Sequence, residues 1–250
     1  MPLASLALCF DAPMQSWGQQ SRFVVRDTAT EPTKSGVIGL IAAALGVARD
    51  DDAAIAELAR LKMGVRVDRE GTVERDYHTV QNVPDTEGKH NRGVESWRYY
   101  LAGALFLTVL EGQETELRRL HQALANPRWP LYLGRRAFLP ARPIVSTGDP
   151  PATIRWPIEE VLATYPWLEN RPHIRRVGDH GEPRWLRTVT DANAADPAAE
   201  LRNDHPLSFA PGNRRHGPRF VRIGHVQLTS QMRSPAAGPQ ANGASRIPQP

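Results

Sequence analysis

The chain has 250 residues, of which 40% are hydrophobic, and it carries a net charge of +4 with a pI of about 9.6. This length is enough for one large domain or two small ones. The longest apolar run, Val37 to Ala48, is too short for a membrane helix, which needs about 20 residues. A single cysteine, Cys9, excludes a disulfide framework and a zinc site built on cysteine, and we expect it to be a buried thiol in a reduced cytoplasm.

The positive charge is carried almost entirely by arginine. Of the 31 basic residues only Lys34, Lys62 and Lys89 are lysines. Arginine binds phosphate through a planar fork and stacks on bases, so this bias is compatible with a nucleic-acid partner. A genome rich in G and C produces the same bias through codon usage, and composition alone therefore does not decide between the two.

The first 150 residues predict a mixed α+β domain. The hydrophobic patterns predict strands at 3–10, 62–70, 99–111 and 142–147, and helices at 35–47, 49–61 and 114–126. Apart from one extra helix and a long polar insertion at 71–97, this is the βαββαβ order of a ferredoxin-like, RRM-like sandwich. The first segment, LASLALCF, reads as a buried strand because no basic region precedes it and Asp11 and Pro13 follow it closely.

The character of the chain changes after Pro150 and Pro151. The following residues are rich in Pro, Arg and His, with candidate strands at 173–178, 184–190 and 219–228 and a candidate hairpin turn at 178–181. The last residues, 231–250, are of low complexity and are predicted to be disordered. We therefore expect an RRM-like domain at 1–150, a small β-rich unit at 151–230 and a tail.

The stretch EPTKSGVIGLIAAALG joins a polar turn to an apolar helix. Thr33 or Ser35 can cap this helix, and Lys34 adds a full charge to the positive end of the helix dipole. Such a turn can bind phosphate, although it lacks the spacing of a Walker A loop. An ordinary capped core helix explains the same residues.

Two loops carry groups suited to RNA. Leu131 to Arg136 places a glycine between an aromatic residue and two arginines, which can follow a sugar–phosphate chain and stack a base. Pro13 to Gly18 contains Gln15 and Ser16, which can bond base edges, and Trp17, which can stack or simply anchor the loop in the core. Surface loops with solvated arginines are the alternative interpretation.

The long insertion contains Tyr77, His78, Lys89 and His90. These are the groups that metal-independent RNA cleavage uses as acid, base and charge stabiliser, but a polar protruding hairpin explains them equally. The histidines form no HxxxH or HExxH pair, and no GxSxG or paired-carboxylate motif occurs. No metal and no cofactor are expected.

Four segments in one order resemble a known family. PMQSWG after the first strand, PTKSGVIGLIAAALGVARDD, RDYHTV and LYLGRRAFLP are similar to the CasD family, the fifth-family, e-subtype subunits of the type I-E CRISPR surveillance complex Cascade. The resemblance covers residues 3 to about 145 and becomes faint beyond 150. Four motifs at the right spacing are more specific than any one of them.

This resemblance implies a RAMP-type fold with a protruding thumb, which corresponds to residues 71–98. Family members hold the 5′ handle of the CRISPR RNA and contact the backbone subunits and the large subunit that reads the PAM, so target DNA is an indirect partner. Tyr132 to Arg136 corresponds to the glycine-rich loop, and the turn at Thr33 to Ser35 faces the handle.

The resemblance also implies a cytoplasmic, non-catalytic RNA binder that acts in antiviral defence. Lys34, Arg135 and Arg136 would neutralise phosphates, while Trp17 and Tyr132 would stack or enclose bases. The residues expected at the RNA are Gln15, Ser16, Trp17, Arg26, Thr33, Lys34, Ser35, Tyr77, His78, Tyr132, Gly134, Arg135 and Arg136. Relatives from type I-C systems cleave the CRISPR repeat, which keeps an endoribonuclease as the alternative.

Overall fold

The computed structural model describes residues 3–19, 24–84, 87–88, 91–148, 153–177 and 184–233. The strands are β1 (Leu3–Asp11), β2 (Met14–Gln15), β3 (Val25–Arg26), β4 (Lys62–Arg69), β5 (Thr72–Pro84), β6 (Asn91–Ala102), β7 (Leu105–Gln113), β8 (Thr153–Ile154), β9 (Trp185–Asp191), β10 (Ala199–Ser208) and β11 (Arg215–Gln227). The helices are α1 (Lys34–Leu45), α2 (Asp52–Ala59), α3 (Glu114–Ala125), α4 (Ile158–Thr164), α5 (Pro172–Val177) and α6 (Ser230–Arg233). The predicted α+β class is confirmed. The turn predicted at 178–181 and the tail beyond Arg233 lie outside the described residues.

Seven strands form one antiparallel sheet in the order β10-β11-β9-β4-β7-β1-β8. Side chains alternate between the two faces of a strand, so β1 contributes to two cores. Leu6, Leu8 and Phe10 lie fully buried in a core shared with α1 and α3, whereas Ala7 packs on the opposite side against α4 residues such as Val161. Both faces of the sheet are therefore covered at its centre, and β1 reads as an almost continuous apolar run for this reason.

Helix α1 is buried on most of its surface, as its composition predicts. Thr33 Oγ1 accepts a hydrogen bond from the Gly36 N–H at 3.3 Å and caps the helix, and Gly46 ends it with a left-handed φ of 76°. A Cβ on Gly36 would stand 2.8 Å from the Trp17 ring. The small residues of this helix thus permit a close approach to the loop after β1.

The long polar insertion forms an antiparallel β-hairpin. β5 pairs with β6 from Thr72 opposite Ala102 to Pro84 opposite Asn91, and short β2 and β3 pair with the other edge of β6. The single strand predicted at 99–111 is wrong. Gly103, with a φ of 69°, turns the chain between β6 and β7, and this conformation interrupts the extended backbone.

Two further predicted strands are corrected by the structure. Residues 142–147 form an irregular segment that contacts β1 through the Cys9 N–H, which donates to the Ile144 carbonyl at 2.8 Å. Pro140 and Pro143 lack an N–H, and this hinders regular pairing there. Residues 173–178 lie largely in α5, where Pro172 occupies the first helical position that proline favours.

The C-terminal strands extend the same sheet. β9 pairs with β4 from Gly64 opposite Thr190 to Arg66 opposite Thr188, and β11 and β10 follow in turn. The predicted strands at 184–190 and 219–228 are confirmed as β9 and the end of β11, while β10 was not predicted. Strands from before and after residue 150 share one sheet, so residues 185–227 do not form a sheet of their own. The domain boundaries drawn from the sequence stay predictions.

Candidate functional site

The β5–β6 hairpin carries a solvent-exposed aromatic cluster of two mutually tilted rings and one arginine. Tyr77 and Trp97 lie opposite each other in the hairpin register, with ring centroids 4.8 Å apart. The Arg75 guanidinium lies 4.5 Å from the centroid of the Trp97 ring. Tyr77 and Trp97 remain 47% and 39% exposed, which is unusual for large aromatic side chains. Ring faces and a guanidinium plane together form a surface on which unpaired bases stack.

Tyr77 and His78 lie on opposite faces of this hairpin, because successive residues of a strand alternate. His78 is opposite Ser96, whose hydroxyl donates to the His78 carbonyl. A hydrogen bond with Glu95 raises the pKa of Tyr77 above its usual value. A general acid and a general base must reach one substrate, and these two side chains point away from each other. Lys89 and His90 lie outside the described residues.

Two of the sequence motifs meet in space. The Ser16 N–H donates to the Leu133 carbonyl at 3.0 Å, so the loop at 131–138 packs against the loop after β1. Gly134 has a φ of 98°, and a Cβ there would stand 1.9 Å from the Ser16 carbonyl oxygen. No other residue type fits this contact without moving one of the two backbones. Tyr132, on the same loop, is half-buried.

Arginines gather along the β2–β3 edge of β6. Arg135 Nη2 donates to the Tyr99 carbonyl at 2.6 Å and the guanidinium lies 5.3 Å from the Phe138 ring, which ties the loop to β6. Burial, followed by the charge of Arg98, lowers the pKa of Arg135 below its usual value. Arg26 pairs in register with Arg98. We call Arg26, Arg98, Arg135 and the exposed Arg136 the β6 arginine cluster.

Gln15 and Trp17 do not face solvent, and the expectation that Gln15 reads base edges is corrected. The Gln15 side chain is fully buried, and its Nε2 donates to the Phe10 and Ala104 carbonyls. Its Oε1 accepts from Trp17 Nε1 at 3.2 Å, and Trp17 itself is only 1% exposed. Both side chains hold the loop on the core. Of the two roles considered for Trp17, it therefore anchors the loop and does not stack on a base. The Ser16 side chain is 9% exposed and lies under the contact with Gly134.

The expected phosphate site at the start of α1 is filled by the protein's own carboxylate. The Lys34 N–H donates to Asp204 Oδ2 at 2.7 Å, and Lys34 Nζ pairs with Asp191 Oδ2 at 2.7 Å. Arg219 bridges Asp191 and Asp204 at 2.5 and 2.7 Å. Thr33, Lys34 and Ser35 are no more than 9% exposed. This Lys34 network satisfies the positive helix end, so the expectation that these three residues bind RNA is corrected.

Comparison with known proteins identifies the family. A family model described as CRISPR-associated protein (Cas_Cas5) matches residues 5–222. The chain belongs to this CRISPR-associated family. The expectation from the four sequence motifs is thereby confirmed.

Individual relatives agree with this assignment. The CRISPR system Cascade subunit CasD of Escherichia coli (strain K12) is 36% identical over 146 residues, which are 53% of this chain and 65% of that protein, just under two thirds of its length. A chain of a solved CRISPR RNA-guided surveillance complex has a TM-score of 0.73 and 31% identity, with 92% of this chain and 93% of that chain covered. A crystal structure of a Cas protein has a TM-score of 0.67 and 37% identity, with coverages of 89% and 95%.

Sequence reasoning missed two site residues of this CRISPR-associated protein. Trp97 and Arg98 lie on opposite faces of β6, one in the aromatic cluster and the other in the β6 arginine cluster. The signal was present in the segment SWRYY, where residues two apart share a face of a strand. A strand predicted to begin at residue 99 leaves Trp97 and Arg98 outside it.

The environment of Cys9 disfavours its thiolate form. Burial raises the pKa of the Cys9 thiol to about 12, so the reactive thiolate is suppressed at neutral pH. Within the described ranges, no helix has the length and apolar character needed to cross a membrane.

Proposed function

We propose that this chain is a non-catalytic RNA-binding subunit of a type I-E Cascade complex. It binds and caps the 5′ handle of the CRISPR RNA in the cytoplasm and thereby supports guided DNA targeting in antiviral defence. Its partners are the CRISPR RNA, the backbone subunits and the large PAM-reading subunit, with target DNA an indirect partner, and it uses no cofactor. The similarity to a Cascade subunit and to a chain of an RNA-guided surveillance complex supports this proposal.

One observation carries the proposal: a guanidinium cluster and a stacking surface occupy the two faces of one β-hairpin. The β6 arginine cluster includes Arg26, opposite Arg98 in register, and the charge of Arg98 lowers the pKa of Arg135. Asp76, opposite Arg98, is the single carboxylate among the groups that shift this pKa. Such an excess of positive charge attracts a phosphate backbone, and Trp97 with Tyr77 offers rings to unpaired bases. A single-stranded RNA handle has both features.

The expected RNA contacts change accordingly. Arg26, Arg98 and Arg136 contact phosphates, while Tyr77, Trp97 and Tyr132 stack or enclose bases. Arg135 and Gly134 hold the loop that carries Tyr132 and Arg136. His78 lies on the face of Arg98 and stays a predicted contact.

Removing two charges of the cluster should weaken handle binding. We expect Arg98→Gln/Arg136→Gln to reduce affinity for a labelled 5′-handle RNA on the order of tenfold. The slope of log affinity against log salt should fall by about 0.7 for each lost phosphate contact on a single strand. Fluorescence anisotropy at several salt concentrations measures both quantities.

The matched control is Arg60→Gln/Arg119→Gln, which removes the same charge from exposed positions on two helical segments. It should leave handle affinity within about twofold of the unmodified protein. An equal loss in the two double variants would contradict a specific site at β6.

A repeat-cleavage assay separates this binder from an endoribonuclease. Because Tyr77 and His78 point to opposite faces of the hairpin, we expect purified protein to leave CRISPR repeat RNA intact in EDTA. Denaturing gel electrophoresis over several hours checks the result. Cleavage that Tyr77→Phe or His78→Gln abolishes would overturn the non-catalytic assignment.

A further inference from the structure

A second arginine-rich surface surrounds Trp167. The Trp167 indole is 3% exposed and packs with Leu186, Leu228 and Met232 in a small core of its own. Its Nε1 donates to the Asp68 carbonyl at 3.1 Å. Three segments converge on this ring, namely α5, the residue before β9 and α6.

Three guanidinium groups contact this one indole. The guanidinium carbons of Arg175, Arg184 and Arg233 lie 6.0, 4.9 and 5.7 Å from the ring centroid. A ring face attracts a cation, which explains part of this arrangement. Three positive charges around one ring nevertheless repel one another.

The described carboxylates beside this surface, Asp68 and Glu169, pair with other arginines. Asp68 binds Arg66 at 2.6 Å, and Glu169 binds Arg69 at 2.6 Å. Within the described residues, no carboxylate lies at ion-pair distance from Arg175 or Arg184, in contrast to the paired arginines of the Lys34 network. Among the described residues, Arg175 and Arg184 therefore have no paired carboxylate with which the phosphate of an external ligand would have to compete.

Arg175 is held in position before any ligand arrives. Arg175 Nη1 donates to the Glu169 carbonyl at 2.9 Å, and its Nη2 donates to the Arg233 carbonyl. Arg171 precedes α5, and its carbonyl accepts from the N–H of Arg175 at 3.1 Å. Arg171 Nη2 would be 3.8 Å from a Cβ on Gly103, so it reaches the turn at the base of the β5–β6 hairpin.

We propose that Arg171, Arg175 and Arg184 form a second nucleic-acid contact, which binds backbone phosphates of a strand without reading its sequence. The charges are spread over two chain segments, which suits consecutive phosphates of a strand better than one small anion. A nucleic-acid strand carries a charge at every nucleotide, so its binding here releases counterions and depends on salt. This site is distinct from the β6 arginine cluster and does not require the handle sequence.

The test uses the full chain and a labelled single-stranded 20-nucleotide oligomer of mixed sequence without the handle, as RNA and as DNA. Arg171→Gln/Arg184→Gln removes two positive charges. The two arginine side chains donate no hydrogen bond within the described part of the chain. We expect affinity to fall on the order of tenfold for both oligomers, and the salt slope to fall by about 0.7 per charge. In Arg171→Gln/Arg184→Gln the affinity for the 5′ handle should fall by no more than the same factor. In Arg98→Gln/Arg136→Gln, by contrast, the affinity for the handle should fall more than the affinity for the mixed oligomer.

Two controls keep this proposal open to refutation. Arg171→Lys/Arg184→Lys retains the charges and should restore most of the affinity, which separates charge from folding. Arg60→Gln/Arg119→Gln removes equal charge elsewhere and should change little. A loss no greater than in that control, or a loss confined to RNA or to DNA, would overturn the proposal.

Discussion

Gly134→Ala should weaken binding of the 5′ handle about a hundredfold. The added Cβ would stand 1.9 Å from the Ser16 carbonyl oxygen, so the loop at 131–138 must leave the loop after β1. Tyr132 and Arg136 would then lose their positions together. One lost stacking contact is worth about 1–3 kcal/mol, and the displaced charge adds to it. Anisotropy with labelled handle RNA measures the loss.

Gly212→Ala is the matched control for this substitution. Gly212 also has a left-handed φ, 73°, but a Cβ there meets no atom within 4 Å. It therefore reports the conformational cost of about 1–2 kcal/mol without the clash. Gly212→Ala should bind the handle normally. If the two variants bind equally well, the contact between the two loops has no role in RNA binding.

Asp204→Asn should lower the free energy of unfolding by about 3 kcal/mol at pH 7. Asp204 is 2% exposed and accepts from the Lys34 N–H and from two nitrogens of Arg219. Removing one charge of a buried pair leaves the other charge uncompensated, which typically costs about 3–5 kcal/mol. Arg219 keeps Asp191, so we expect the lower end of that range. Urea unfolding monitored by tryptophan fluorescence measures the difference.

The same carboxyl predicts a pH dependence. Burial raises the pKa of Asp204, but hydrogen bonds and charge from Arg219 and Lys34 outweigh it and hold the pKa below its usual value. A lowered folded-state pKa stabilises the protein above the unfolded pKa, about 3.9, and this stabilisation disappears as the pH falls through the folded value. The difference in free energy of unfolding between the unmodified protein and Asp204→Asn should therefore shrink below about pH 4.

Asp50→Asn serves as the control because Asp50 is exposed at the surface. It should unfold like the unmodified protein throughout this pH range. A difference in free energy of unfolding between Asp204→Asn and the unmodified protein that stays constant down to pH 3 would contradict the ionised pairing of Asp204.

The central elements followed from local patterns. β1 is a short apolar run followed closely by Asp11 and Pro13, α1 has a capping residue and a glycine at its end, and α3 carries leucines at helical spacing. The motifs of four segments in order also sufficed to predict the family. The hairpin and β10 were harder to predict, because their burial patterns are mostly exposed and show no clear alternation of apolar and polar residues.

The sequence by itself determined the α+β class, the family and the presence of polar loops at 13–18 and 131–136, since these depend on composition and short-range spacing. Only the tertiary structure decided which polar residues are free to bind. Asp204 lies 170 positions after Lys34, yet its carboxylate occupies the helix end where phosphate was expected. Gln15 is likewise satisfied by carbonyls of Phe10 and the distant Ala104. A partner supplied by a distant strand leaves no local signal, and burial therefore reassigned these residues from RNA to the core.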